Sequence, residues 1–180
     1  MKKVLFLIFI SLFLFNSCNK VNEVVEKNED KQVNEEIPKA GKKPQNFTVE
    51  TNYNKSFTLY ENNGKPTLIN FWATWCGPCV EEMPAFERLK EEYGDQINLI
   101  AVDCAEEKST VDKFIKDNNY TFEVGYDNGD ISEAYGITGI PFTVVLDRNN
   151  EIVKTFTGSR GVEAQYNAYK EQLEIALNEK

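Results

Sequence analysis

The chain has 180 residues, a formal net charge of −9, four cysteines and no histidine. So acidic a chain argues against nucleic acid as a partner, because phosphate binding needs clustered Lys and Arg. The missing histidine excludes Ser-His-Asp and Cys-His nucleophile pairs, histidine zinc ligands and CxxCH haem attachment.

Residues 1–17 read as a signal peptide. Lys2 and Lys3 precede residues 4–15, in which Ser11 is the one polar side chain. That stretch is too short for a bilayer span, which needs about 20 apolar residues. Ser17-Cys18 at its end resembles a bacterial lipoprotein processing site, although Phe15 stands where an aliphatic residue is preferred. The resemblance implies cleavage before Cys18 and lipidation of that cysteine. Cleavage there removes Lys2 and Lys3 and takes the net charge to −11, so anionic headgroups would not hold the protein and acyl chains must. Residues 18–46 are expected to form the anchor and a flexible tether. They are rich in Lys, Glu, Asn and Gln, and Pro38, Gly41 and Pro44 interrupt any helix. As a coil they would span about 30 Å. A short amphipathic helix over residues 21–33 is the alternative.

Residues 47–180 read as the folded domain. Alternation over residues 47–50 and 56–60 predicts a hairpin. Gly64-Lys65-Pro66 is a turn, and the apolar run 67–72 is a strand covered on both faces. Residues 78–93 are predicted helical, with Met83, Phe86 and Leu89 inward and Gly94 as C-cap. A strand over 97–102 and a helix over 108–118 follow, the latter burying Val111, Phe114 and Ile115. A short strand over 122–125 comes next, then strands 142–146 and 151–156 joined by Asp147-Arg148-Asn149-Asn150. The last helix starts near Gly161, with Val162, Tyr166, Tyr169, Leu173 and Ala176 inward. Strand-helix-strand at the centre implies a parallel pair with a right-handed crossover, and the terminal hairpin adds antiparallel strands. The expected class is an α/β sandwich with a mixed sheet.

Trp75-Cys76-Gly77-Pro78-Cys79 follows the central strand and opens a helix. Cysteines at i and i+3 on a first helical turn share one face and lie within disulfide reach. The helix N-terminus offers free N–H groups and partial positive charge, which stabilise a thiolate. Pro78 is tolerated there because its missing N–H has no helical partner. Cys76, nearer the helix end, is expected to be the more exposed thiol and the nucleophile, with Cys79 as the resolving thiol. A zinc half-site would need Cys18, Cys104 or carboxylates to complete four ligands, and an inert structural disulfide is a further alternative.

The segment from Asn70 to Pro84, Asn-Phe-Trp-Ala-Thr-Trp-Cys-Gly-Pro-Cys-Val-Glu-Glu-Met-Pro, closely resembles the active site of the TlpA/ResA-like family of membrane-anchored oxidoreductases. Tyr135-Gly-Ile-Thr-Gly-Ile-Pro141 resembles the same family's second signature. The resemblance implies a thioredoxin fold with an N-terminal β-hairpin and an inserted β/α element. It also implies a cis Ile140–Pro141 bond against the CxxC pair, with the neighbouring backbone and Trp75, Gly77 and Pro78 meeting substrate. Glu82 matches a glutamate that some members place near the cysteines. Three residues after Cys79, it can face the same side of the helix and exchange protons with that thiol; a solvated carboxylate is the alternative. Asn70 stands where cytoplasmic thioredoxins carry a buried Asp, and it cannot relay a proton. Trp72, Trp75 and Phe71 read as mostly packing, with Trp75 beside Cys76 also a surface for partner contact. Asp103 is expected to accept the Trp72 indole N–H. Cys104 reads as a small buried hydrophobe, or else as a third thiol near the site.

The expected function is an extracytoplasmic, lipid-anchored thiol-disulfide oxidoreductase. Gly-Pro between the cysteines resembles reducing thioredoxins. Strong oxidants of this fold typically carry a His there, and this chain has none. Expected substrates are disulfides of exported proteins, oxidised apocytochrome c among them. Electrons would come from a membrane thiol transporter of the CcdA/DsbD type, and no cofactor is expected. A thiol peroxidase, recognised by direct peroxide turnover at Cys76, and a non-enzymatic binding module, indifferent to loss of both cysteines, are the alternatives.

Overall fold

The structure is a computed structural model that describes residues 39–61 and 63–178. The expected signal, the expected lipidation site Cys18 and residues 19–38 of the expected tether lie outside the described residues.

Five strands form the main sheet in the order β5-β4-β3-β6-β7. They are β3 (Thr67–Trp72), β4 (Asn98–Cys104), β5 (Glu123–Asp127), β6 (Phe142–Leu146) and β7 (Ile152–Thr157). β3 runs parallel to β4, and β4 to β5; β6 is antiparallel to both β3 and β7. All six residues of β3 are buried, which is why this strand reads as a continuous apolar run rather than an alternation.

The two faces of β3 go to different cores. Leu68 and Trp72 pack with helices α1 (Gly77–Tyr93), α2 (Lys108–Asp117) and α4 (Val162–Asn178). Ile69 and Phe71 pack with Tyr135, Phe142 and the N-terminal hairpin. By the two-residue period of a strand, Asn70 faces the α1–α4 side, between Leu68 and Trp72. The hairpin, β1 (Thr48–Glu50) and β2 (Ser56–Thr58), forms its own two-stranded sheet and continues into a 3₁₀ turn at Leu59–Glu61. It docks on β5 through a bridge from Thr51 to Gly125, where a Cβ would meet Val49 Cγ1 at 2.8 Å. The short helix α3 (Asp130–Ala134) is capped by Asp127, whose carboxylate accepts the Ile131 and Ser132 N–H groups.

The expected elements are present, β3 and β6 with the expected ends and the others with ends displaced by at most two residues. Helix α1 buries Met83, Phe86 and Leu89 completely, each contributing about 1.5–3 kcal/mol relative to exposure. It ends at Gly94, whose φ is +49° and whose N–H donates to the Lys90 carbonyl. Phe114 and Tyr166 face inward as expected and pack against the core while half-buried. One inward assignment is corrected: Val162 is only half-buried, and the buried stripe of α4 runs Gln165, Tyr169, Leu173, Ala176. A polar side chain takes the place where the sequence favoured an apolar one, because it meets a buried carboxylate. Residues 41–46, at the end of the expected tether, are tied to the domain: Gly41 N–H donates to the Ile152 carbonyl, and Tyr135 donates its hydroxyl proton to the Gln45 carbonyl.

Candidate active site

Topology brings the two sequence signatures together. Phe71 of β3 pairs with Phe142 of β6, so the chain leaving β3 toward Cys76 runs beside the chain entering β6 from Pro141. The Ile140–Pro141 peptide is cis, and the Ile140 carbonyl oxygen lies 3.7 Å from Cys76 Sγ.

Cys76 and Cys79 are joined by a disulfide with an S–S length of 2.04 Å. Cys76 is the N-cap of α1, and its Sγ accepts the Cys79 N–H at 3.3 Å. A thiolate on Cys76 would keep that donor and gain the field of the helix N-terminus. Cys76 is 6% exposed and Cys79 fully buried, so attack from outside can reach only the first. Trp75, Gly77 and Pro78 are exposed around it; at 71% exposure Trp75 is a surface residue and not the packing residue expected, unlike Trp72 and Phe71.

Glu82 is fully buried, not a solvated helix carboxylate. One turn along α1 from Cys79, it closes a ring of hydrogen bonds drawn from four elements. Asn70 on β3 donates its Nδ2 protons to Glu82 Oε1 and to Thr143 Oγ1 on β6, both at 3.0 Å. Thr143 Oγ1 lies 3.0 Å from the Tyr169 hydroxyl, and that hydroxyl donates to Glu82 Oε2 at 3.2 Å. Gln165 Nε2 donates to the same oxygen at 3.3 Å and to Tyr169 at 2.7 Å. These donors favour the ionised acid, but loss of water outweighs them, and the Glu82 carboxyl is pushed up to about 7. Burial with a proton affinity near neutrality suits an acid-base group. Asn70 thus occupies the site of a relay Asp without titrating; it orients Glu82 instead.

A second carboxyl is buried at the end of β4. Asp103 Oδ2 accepts the Glu106 N–H at 2.9 Å. The expected bond to the Trp72 indole does not form: Trp72 Nε1 and Asp103 Oδ1 are both buried without a partner. Trp72 and Asp103 are register neighbours on parallel strands, yet the Asp103 side chain turns toward the loop that follows it. Burial, reinforced by the carboxylates of Glu106 and Asp127, pushes Asp103 up to about 7. Burial beside Asp103 and Asp127 pushes the half-buried Cys104 thiol up to about 12, which leaves it protonated and unreactive at neutral pH.

Sequence reasoning missed Thr143, Gln165, Tyr169 and Glu106. Only Gln165 left a trace, as a polar residue four before Tyr169 on the inner stripe of α4.

A mixed sheet with a CxxC disulfide capping the helix after its central strand, and the carbonyl of the residue before a cis-proline against the outer sulfur, defines a thioredoxin-fold thiol-disulfide oxidoreductase. Comparison narrows this. The Redoxin family matches residues 39–173, and the chain belongs to it. Its relatives include the thiol-disulfide oxidoreductase ResA of Halalkalibacterium halodurans, 38% identical over 68% of this chain and 70% of that protein. The crystal structure of StoA from Bacillus subtilis superposes with a TM-score of 0.60, at 29% identity over 69% of this chain and 96% of that one. The pneumococcal exposed lipoprotein thioredoxin of Streptococcus pneumoniae superposes with a TM-score of 0.61, at 25% identity over 71% and 99%. The ResA-like resemblance read from the two motifs therefore holds across the domain.

Proposed function

We propose that this oxidoreductase is a lipid-anchored dithiol reductant acting outside the cytoplasmic membrane on disulfides of exported proteins. The observation that carries the mechanism is the Cys76–Cys79 pair at the N-terminus of α1 with Glu82 buried on the same helix face. In the reduced form, the Cys76 thiolate attacks a substrate S–S bond, and one substrate sulfur leaves as a thiolate. Cys79 gives its proton to ionised Glu82 and attacks Cys76 Sγ. The Cys76–Cys79 disulfide forms, the second substrate thiolate departs, and two electrons have passed to substrate. Trp75, Gly77, Pro78 and the backbone at Ile140 and Pro141 form the surface that substrate meets.

Two features support the location. The basic-apolar N-terminus leads to Ser17-Cys18, and the similar streptococcal protein is described as an exposed lipoprotein. Residues 1–17 are then the signal and residues 18–40 the anchor and tether, while residues 41–46 are tied to the catalytic domain of residues 47–180. Re-reduction falls to a membrane thiol transporter of the CcdA/DsbD type, and oxidised apocytochrome c is one substrate of the right chemistry.

Trapping tests this reading. In intact cells Cys79→Ser should hold substrates as mixed disulfides on Cys76, identified by mass spectrometry; absence of any trapped species overturns the exchange mechanism. A reduction potential well above about −180 mV, typical of protein disulfide isomerase, would reverse the assigned direction.

A further inference from the structure

Glu106 follows β4 and lies 32 residues from Thr74, yet its carboxylate grips that residue twice. Oε2 accepts the Thr74 N–H and Oε1 accepts the Thr74 hydroxyl proton, both at 2.6 Å. Thr74 is no ordinary loop residue. The Cys76 N–H donates to the Ala73 carbonyl at 3.1 Å, closing a turn whose two central residues are Thr74 and Trp75. Holding Thr74 therefore sets both the exposed Trp75 and the entry of Cys76 into α1.

The grip is itself built. The Glu106 N–H is held by buried Asp103, and the preceding Ala105 sits at φ +64°, its N–H donating to the Asp127 carbonyl at 3.0 Å. Non-glycine residues seldom adopt that conformation, and where one does the surroundings have fixed it. Here it aims Glu106 at the active-site turn.

We propose that Glu106 is a positioning residue, a carboxylate clamp on Thr74 that holds the Thr74–Trp75 turn so that Cys76 Sγ stays on the N-terminus of α1. The inference rests on the reading of Cys76 as the attacking thiol. Loss of the clamp lets Sγ drift from the Cys79 N–H and the helix field, and the thiolate loses stabilisation. A through-space effect has the opposite sign, since removing a negative charge nearby favours the thiolate.

The test is the pH dependence of iodoacetamide alkylation of Cys76 in the reduced full chain, resolved by site with mass spectrometry. Glu106→Ala should leave about tenfold less Cys76 thiolate at pH values below the wild-type midpoint, and Thr74→Val, which keeps the backbone bond, about threefold less. Glu106→Gln can accept the Thr74 N–H and donate to its hydroxyl, so it should titrate like wild type. An unchanged or increased thiolate fraction in Glu106→Ala, or equal impairment in Glu106→Gln, overturns the clamp. Should Glu106→Ala not fold, wild-type behaviour of Thr74→Val overturns it, and the threefold loss with rescue in Glu106→Gln supports it. A wild type in which Cys79 is alkylated before Cys76 overturns the functional reading, and this inference with it.

Discussion

Two of the buried carboxyl groups, Glu82 and Asp103, are pushed up to about 7, chiefly by loss of water, and their surroundings differ. Glu82 has every oxygen paired, in a ring drawn from β3, β6 and α4. Asp103 has one oxygen on the Glu106 N–H and one without a partner. Burial is the largest influence on proton affinity in both, but the hydrogen bonds decide the use. A carboxyl whose donors tolerate either charge state can pass a proton and return. One whose single bond fixes a loop serves to hold that loop.

The largest difference between the two should appear on deletion. Glu82→Leu removes one acceptor each from Asn70 Nδ2, Gln165 Nε2 and the Tyr169 hydroxyl, which keep their bonds to Thr143 and to one another; each donor proton left unpaired in the core costs about 1–3 kcal/mol. Some of this is recovered by repacking, so a loss of about 3 kcal/mol at pH 5 is expected from urea unfolding of the oxidised protein. A loss under 1 kcal/mol would mean that the ring is no more knitted than the site at Asp103.

The pH dependence of stability gives a smaller, signed effect. The folded-state affinity of Glu82 is raised from an ordinary value of 4.5 to about 7, so the native protein binds the proton more tightly than the unfolded chain. Its contribution is therefore fully present below about pH 4.5, declines as pH rises toward 7, and is lost above. Its size is about 3 kcal/mol. Asp103 acts with the same sign between its ordinary value of 3.8 and about 7. Over pH 5 to 8 the two shifts are of like size, so Glu82→Gln and Asp103→Asn should each flatten a comparable part of the fall in stability. A fall left unchanged by Asp103→Asn would mean that Glu82 alone carries it.

The smallest effect concerns Cys104, next to Asp103. With its thiol up at about 12, it should stay unmodified at pH 8 while Cys76 of the reduced protein is alkylated, and Cys104→Ser should leave turnover unchanged. Alkylation of native Cys104 at a rate near that of Cys76 would restore it as a third redox thiol.

Much of the site was legible because its chemistry is local. Cys76, Cys79 and Pro78 need only the spacing of one helical turn, and Glu82 needs one more on the same face. Pro141 was legible through resemblance alone, since 65 residues separate it from Cys76 and nothing local joins them. The Asp103–Trp72 bond was misjudged for a related reason. Register put the residues side by side, but side-chain direction followed the backbone of the next loop, bent at Ala105.

The sequence by itself determined where the thiols sit, the order of strands and helices, and the absence of any histidine base, since each depends on residue identity and short-range periodicity. Tertiary structure alone decided what surrounds those thiols. Thr143, Gln165 and Tyr169 reach Glu82 only because β3 pairs with β6 and α4 packs on α1, and Glu106 reaches Thr74 only because β4 lies parallel to β3. Hydrogen bonds between residues far apart in the chain carry no periodic signal; they exist only once the sheet has fixed its register.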